Sequence, residues 1–335
     1  MTNRYLKQKL FLGKIGQSKI ENSHAIIMGA GALGSSTAEM LVRAGIGKLT
    51  IVDRDYVEWS NLQRQQLYTE EDAKRKIPKA AAAKTRLESL NSEITINSVV
   101  ADINAANVEE FIKNASIIID ATDNFETRLI INDAAVKQNI PFVFGACVAS
   151  YGLTYSVQPY KTPCLHCLIE HLPGQTVTCD TVGVISPIVQ LVAAFQVTQS
   201  FKILTGEEVD SILYSFDIWN MEKSEINVRK LKNDNCPSCG KNAVYPYLSM
   251  EGHTKTDVLC GRDAIHIRPG ISRTLDLQHL SNMWKDMVEH LTVNQYLLAC
   301  QYEDHRVVLF KDGRAIIHGT DDRTRARVIY NRLIG

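Results

Sequence analysis

Two C-x-x-C pairs and one glycine turn are the places where residue type and spacing in this sequence can do chemistry. CLHC supplies Cys164 and Cys167, and CPSC supplies Cys236 and Cys239. Four thiolates complete a tetrahedron around Zn²⁺, and the second pair, with Pro237 inside it and Gly240 behind it, fits a zinc knuckle. Nearly seventy residues separate the pairs, so a shared ion would tie distant segments together and serve structure rather than catalysis. A redox C-x-x-C or two unrelated thiol pairs are the competing readings. His166 and His171 are spare ligand candidates.

The turn GAGALG places Gly29, Gly31 and Gly34 in the G-x-G-x-x-G spacing. Gly29 permits the tight turn, Gly31 lets backbone N–H groups approach phosphate, and Gly34 lets a helix pack on the strand. Asp53 ends the next strand, where a carboxylate can accept from ribose hydroxyls. These residues point to a nucleotide and leave its identity open: NAD with hydride transfer, or another nucleotide with other chemistry. The loop DYVEWSNLQRQ carries Asn61, Gln63 and Arg64, and Lys79 follows Pro78 at a helix start. Such donors suit a triphosphate, although a charged loop can also be a merely solvated face. In IIIDATDNFETR, Asp120 sits at a strand end and Asp123 in the following turn, where a carboxylate can hold Mg²⁺ against phosphates. Asn124 can order that turn, or the pair Asp123 and Asn124 can simply cap the next helix.

Cys179 lies in a polar loop ahead of a helix whose N-terminus could lower a thiol pKa, which makes it a candidate nucleophile or an inert spare thiol. Cys147, Cys260 and Cys300 stand in apolar strand contexts and read as buried.

These groups need an α/β frame. HAIIMGA is an apolar run of the kind a parallel strand buried on both faces shows. SSTAEMLVRAG has helical spacing stopped at Gly45 and Gly47, and KLTIVD is a second strand. Helix and strand then alternate through PFVFGACV, so the expected fold is a Rossmann-like, mostly parallel sheet with helices on both faces. From Tyr151 the alternation lapses into an antiparallel extension around a long helix from Ser186 to Leu204, and this extension carries the four cysteines. A boundary at YPYLSMEGHTKT divides residues 1–250 from a small α+β unit at 251–335. That unit reads as strand AIHIRP, one helix around LQHLSNMWKDMVEHL, strands QYLLACQYE and HRVVLFKDGRAIIHG turning at KDGR, and a last helix RTRARVIYNRLI. At the N-terminus Tyr5, Leu6, Leu10 and Phe11 alternate with charges as a short amphipathic helix.

Composition narrows the classes. Of 335 residues 45% are apolar and 22% charged, and Lys+Arg and Asp+Glu are equal at 37 each, so no global charge recruits nucleic acid or a membrane surface. The tryptophans show no stacking pattern with basic residues. The run VGVISPIVQLVAAFQV falls short of the roughly 20 residues of a membrane span, and no cleavable signal pattern opens the chain, so a cytoplasmic protein is expected.

In order along the chain, RYLKQ, GAGALG, VDRDYVEWSNLQRQ, PK, ATDNFETR, GACVASYG, CLHC, TC and CPSCG resemble the ThiF/MoeB/HesA family, bacterial relatives of the ubiquitin-activating E1 enzymes, over residues 3 to 245. The resemblance implies a homodimer that binds ATP and Mg²⁺ rather than NAD. On the same resemblance, the enzyme would adenylate the C-terminal Gly-Gly carboxylate of a small ubiquitin-like sulfur carrier protein, ThiS-like or MoaD-like, for thiamine or molybdopterin synthesis. A cysteine desulfurase or other sulfur donor would then supply sulfur. It further implies that Gly29, Gly31, Ala32 and Gly34 approach the nucleotide and Asp53 holds the ribose. Asn61, Arg64 and Lys79 would contact phosphates, Asp123 would position Mg²⁺ beside Asn124, and the four cysteines would hold Zn²⁺. Cys179 matches a cysteine that some members link covalently to the carrier. One departure is Lys7, which stands where the family has an arginine that reaches the partner subunit's ATP site, so Lys7 or Arg4 would serve. The unit at 251–335 has no role implied by the resemblance. A NAD-dependent oxidoreductase and a non-catalytic E1-like partner subunit are the alternatives.

Overall fold

A computed structural model describes residues 4–169, 182–249, 255–259, 264–269 and 274–334. Two compact units result, the second made mainly of residues 251–335.

In the first unit the chain runs α1 (Leu6–Glu21), β1 (His24–Met28), α2 (Ala32–Ala44), β2 (Lys48–Asp53), α3 (Glu70–Lys74), α4 (Lys79–Leu90), β3 (Thr95–Val100), α5 (Val108–Phe111), β4 (Ile117–Asp120), α6 (Phe125–Lys137), β5 (Phe142–Val148), β6 (Tyr151–Val157), α7 (Leu165–Leu168), α8 (Ser186–Thr205), β7 (Ile212–Asp217) and β8 (Glu222–Asn227). The sheet order is β3-β2-β1-β4-β5-β6-β7-β8. Its first five strands pair in parallel and its last three antiparallel. Strand order reverses between β1 and β4, and in open sheets the crevice beyond the carboxyl ends at that point is where ligands bind. Alternate residues of β1 serve opposite cores: Ala25 and Ile27 pack with Leu41, Ala83 and Val197, while Ile26 and Met28 pack with Ile130, Ala134 and Leu165.

α8 is long and apolar enough to cross a membrane by length and composition, but here it lies in the core against α2, β5 and β6. Glycines in those strands let it approach: a Cβ on Gly145 would fall 2.5 Å from Gln196 Nε2, and one on Gly152 would fall 2.4 Å from Val192. Buried Gln196 donates from Nε2 to Asp120 O at 2.8 Å, so the core helix also fixes the end of β4.

α1 departs from the sequence reading. The chain takes φ 72° at Gly13, which kinks the helix, and the helix is buried only beyond that kink. Gly16, Gln17 and Ile20 are buried, whereas Leu10, Phe11 and Ile15 are 73%, 89% and 76% exposed.

The second unit comprises β9 (Lys255–Leu259), β10 (Ala264–Arg268), α9 (Leu277–Trp284), β11 (Glu289–Val293), β12 (Leu297–Tyr302), β13 (His305–Phe310), β14 (Ala315–His318) and α10 (Arg323–Ile334). The sheet is antiparallel in the order β11-β12-β13-β14-β10-β9. Ile265, Leu298, Val307, Leu309 and Ile317 form one face with Trp284 of α9 and Ile329 of α10. The single helix expected through Leu291 is corrected: α9 stops at Trp284, and Glu289–Val293 pairs with β12 across an irregularity where His290 has φ 50°. β9 was not expected at all.

Gly34 bears the tightest contact of the glycine turn, because a Cβ there would lie 1.9 Å from Gly29 O. Gly34→Ala should therefore lower stability by at least about 3 kcal/mol, the upper range for overpacking. Gly31→Ala should cost no more than about 1 kcal/mol, since its Cβ would meet nothing closer than Gln65 Nε2 at 4.0 Å. Urea midpoints of the two variants compared with the parent chain check this; equal midpoints would overturn it.

Candidate functional site

The crevice between β1 and β4 is built around the glycine turn. Gly29 adopts φ 96°, and a side chain there would strike Ala121 O at 2.6 Å, so the turn is pressed against the segment leaving β4. Asp53, at the end of β2, accepts from Ala30 N–H through Oδ2 and from Asp55 N–H through Oδ1, both at 2.6 Å. Burial pushes its carboxyl above the ordinary range and Asp55 adds to this, against the pull of Lys79 and the two N–H donors. The geometry gives Asp53 a job beyond any ligand, which is to hold the turn.

A chain of ion pairs follows from β2 to α4. Arg54 Nη1 lies 3.0 Å from Asp102 Oδ1, and Arg54 Nε lies 3.8 Å from Asp55 Oδ1. The buried Lys79 ammonium is 3.2 Å from Asp55 Oδ2. Lys79 is placed by its backbone as well: its N–H donates to Asp55 O at 2.9 Å where α4 begins behind Pro78. Asp123 completes the group. Crowding by the protein disfavours its charge, but Arg54, the Asn124 amide and Lys79 outweigh that and hold its carboxyl below the ordinary value, although its side chain reaches solvent. Burial works against the Arg54 charge too, yet Asp102, Asp55 and Asp123 keep the guanidinium firmly protonated. Two cations thus face Asp53, Asp55, Asp102 and Asp123, a formal excess of two negative charges.

Asp120 has a different place from Asp123. It is fully buried, accepts from Thr122 N–H and Oγ1–H, and pairs with Arg128 Nε at 3.3 Å. Arg128 in turn donates to Thr122 O at 2.6 Å, so this pair braces the turn from beneath. Asn124 caps α6 by accepting from Thr127 N–H at 2.9 Å. The capping reading therefore holds for Asn124, and Asp123 stays outside the cap.

The loop after β2 carries Asn61. Its Oδ1 accepts from Glu58 N–H at 3.0 Å, while Nδ2 is buried with no partner among the described residues, as is Gln65 Oε1. Arg64 turns back to donate to Ser60 O at 2.8 Å and is only half-buried. Tyr68 ends the loop, buried, with its hydroxyl on Ala30 O at 2.5 Å.

Arg4 and Lys7 are not brought to this crevice. Arg4 donates to Leu90 O at 2.9 Å and Tyr5 crowds Gly45, so both cations lie at the opposite end of α2 from the glycine turn. That is one helix length away, roughly 20 Å.

The four cysteines do meet. Their sulfurs lie within 4.8 Å of one another, with Cys164–Cys236 at 3.6 Å, Cys167–Cys239 at 3.5 Å and Cys164–Cys167 at 3.9 Å. A tetrahedral ion with metal–sulfur bonds of about 2.3 Å separates its sulfurs by about 3.8 Å, so the set fits Zn²⁺. His166 is engaged elsewhere, its Nδ1 3.1 Å from Ser238 Oγ. Around the cluster, Asn132 accepts from Leu165 N–H and Asp133 from Tyr247 N–H, tying both cysteine loops to α6. Cys300 is buried as expected, Cys147 is only half-buried, and Cys179, Cys260 and His171 lie outside the described residues.

Sequence reasoning passed over Arg54, Asp55, Asp102 and Tyr68. Arg54 and Asp55 directly follow Asp53, a signal that was available. Asp102 and Tyr68 reach the site only through the fold.

Over 337 residues, 100% of both chains, this chain is 55% identical to the sulfur carrier protein ThiS adenylyltransferase of Bacillus subtilis. It is 32% identical to the Escherichia coli sulfur carrier protein ThiS adenylyltransferase over 247 residues, 72% of this chain and 97% of that one. The crystal structure of E. coli MccB with ATP matches with a TM-score of 0.62 over 72% of this chain and 75% of that one; at 22% identity the likeness is one of fold. Residues 3–238 match the ThiF family, and the chain belongs to that family.

Proposed function

We propose that this chain is an adenylyltransferase that uses ATP to activate the C-terminal glycine carboxylate of a ThiS-like or MoaD-like sulfur carrier. The observation that carries the reading is the convergence of the glycine turn, Asp53, Lys79 and Asp123 at the β1/β4 switch point in a chain of the ThiF family. Full-length likeness to a ThiS adenylyltransferase favours a ThiS-type carrier and thiamine synthesis.

On this reading the carrier carboxylate attacks the α-phosphorus of ATP and pyrophosphate leaves. A carboxylate is ionised at neutral pH, so no general base is needed, and the chain contributes position and charge. Gly29, Gly31, Ala32 and Gly34 face the phosphates, Asp53 the ribose, and Asn61, whose Nδ2 is buried with no partner among the described residues, a phosphate oxygen. Arg64 and Lys79 neutralise the developing charge. Asp123 would hold Mg²⁺, which supplies charge neutralisation at the leaving group; the excess of carboxylates around it suits a cation. The four cysteines would hold a structural Zn²⁺. The sulfur donor, a cysteine desulfurase or another, acts afterwards on the acyl-adenylate, with Cys179 as the residue assigned to any covalent step. The reading places the reaction in the cytoplasm, where thiols stay reduced.

The exposed apolar residues of α1 and the remoteness of Arg4 and Lys7 from their own crevice support a homodimer in which these cations serve the partner's site.

Asp123→Ala should reduce carrier-dependent ATP–pyrophosphate exchange by about 100-fold or more with an unchanged circular dichroism spectrum; wild-type exchange rates would sink the assignment. A chain carrying both Arg4→Glu and Lys7→Glu should be inactive alone. Coexpressed in equal amounts with Asp123→Ala, it should regain about a quarter of wild-type exchange, since half of the two-fold dimers would hold one intact site. No recovery in purified mixed dimers would rule out service in trans. Metal analysis should find about one Zn²⁺ per chain, lost in Cys236→Ser along with several degrees of melting temperature. A metal-free wild-type protein of equal stability would contradict the zinc site.

A further inference from the structure

The buried hydroxyl of Tyr68 reaches the glycine turn from the loop after β2. It donates to Ala30 O at 2.5 Å, and Ala30 N–H is itself held by Asp53 Oδ2 at 2.6 Å. The peptide unit joining residues 30 and 31 is planar and trans, so its carbonyl and its N–H point in opposite directions. Drawing the Ala30 carbonyl inward therefore turns the Gly31 N–H outward. That N–H has no partner among the described residues. The space above Gly31 is open: a Cβ there would find only Gln65 Nε2, at 4.0 Å.

We propose that Tyr68 is a positioning residue for the nucleotide site, whose hydroxyl fixes the 30–31 peptide so that the Gly31 N–H is aimed at a phosphate in the crevice. The inference rests on the ATP reading above and deepens it. Tyr68 sits at the end of the loop that carries Asn61 and Arg64, so the bond also locks that loop to the glycine turn, and the two segments expected to face phosphate form one rigid unit. The donor role is secure across the physiological range, because burial, with Asp53, Asp72 and Asp55 nearby, keeps the phenol protonated. No spacing in the sequence announces this contact, which spans 38 positions.

A residue that orients a phosphate donor affects phosphate and leaves the nucleoside alone. A residue that merely stabilises the fold weakens both or neither. Tyr68→Phe removes only the hydroxyl and keeps the ring in the core. Calorimetric titration of the full chain with MgATP and with adenosine should show a five- to tenfold weaker dissociation constant for MgATP, roughly one hydrogen bond's worth. Binding of adenosine should stay within about twofold, because the hydrogen bond in question lies on the phosphate side. In parallel, the Gly31 amide resonance of the parent chain should shift on addition of MgATP, and this shift should shrink in Tyr68→Phe. Equal losses for the two ligands, or an undiminished MgATP affinity, would overturn the role given to Tyr68. Should the unaltered chain bind adenosine and MgATP equally well, the orientation of Gly31 is wrong while the site stands. If it binds neither, the nucleotide reading itself falls and takes this role with it.

Discussion

The first unit is organised by the close approach of three backbone segments: the glycine turn after β1, the first turn of α2 and the segment leaving β4. With 1.9 Å between a hypothetical Gly34 Cβ and Gly29 O, and 2.6 Å between a Gly29 Cβ and Ala121 O, no side chain can intervene. This contact sets the height of α2 above the sheet and points its free N–H groups into the crevice at the switch in strand order. The surrounding polar groups then brace the contact. Asp53 holds Ala30 from one side and Tyr68 from another, while Asp120 and Arg128 support Thr122 from below. Such a turn is rigid before any ligand arrives, and a preorganised donor set loses little freedom on binding.

Distance from that contact also separates the parts of the molecule that carry charge from those that carry stability. The pairs Asp102–Arg54–Asp55–Lys79 lie at the carboxyl ends of the strands, where helices begin and backbone donors are unpaired. The cysteine cluster lies against α6 and joins loops on either side of the antiparallel extension. β6 is covered by α8, but β8, the edge strand of the extension, is exposed along its whole length. Four sulfurs placed to share one ion would tie the chain after β8 back to the loop after β6.

Much of this was legible in the sequence where the determinants are local. The glycine spacing, the acid closing β2, the alternation of strands and helices, and the paired cysteines all act over a few residues or through repeated pattern. What was not legible depends on partners remote in the chain. Leu277, Leu280, Trp284, Val288 and Leu291 keep a helical period, yet the last two belong to a turn and a strand that pack on the same core, because pairing with β12 wins over the local pattern. Leu6, Leu10 and Phe11 looked like the packing face of α1, yet all three are exposed, and the buried residues of the helix lie beyond the kink at Gly13. Asp102 and Tyr68 are an acid after a strand and an aromatic in a loop, and nothing in those types says that one anchors Arg54 and the other a backbone carbonyl.

Charge balance explains why such a site would call for help from outside one chain. The reaction proposed brings a carboxylate to a triphosphate, and the crevice already holds more acids than bases. Arg54 and Lys79 are paired with Asp102 and Asp55, so Lys79 must be shared between Asp55 and any phosphate that enters. Arg64, on the loop after β2, has no carboxylate at ion-pair distance among the described residues, and its guanidinium donates to the Ser60 carbonyl. One arginine and the backbone N–H groups of a helix end do not balance a nucleotide and a second anion at close range. A metal ion at Asp123 and a cation from a second copy are the two remedies consistent with this chain, since its own N-terminal cations are a helix length away. An arrangement of that kind would make the site complete only in the assembled enzyme, with the acids of the crevice holding the incoming cations in place rather than opposing the substrate.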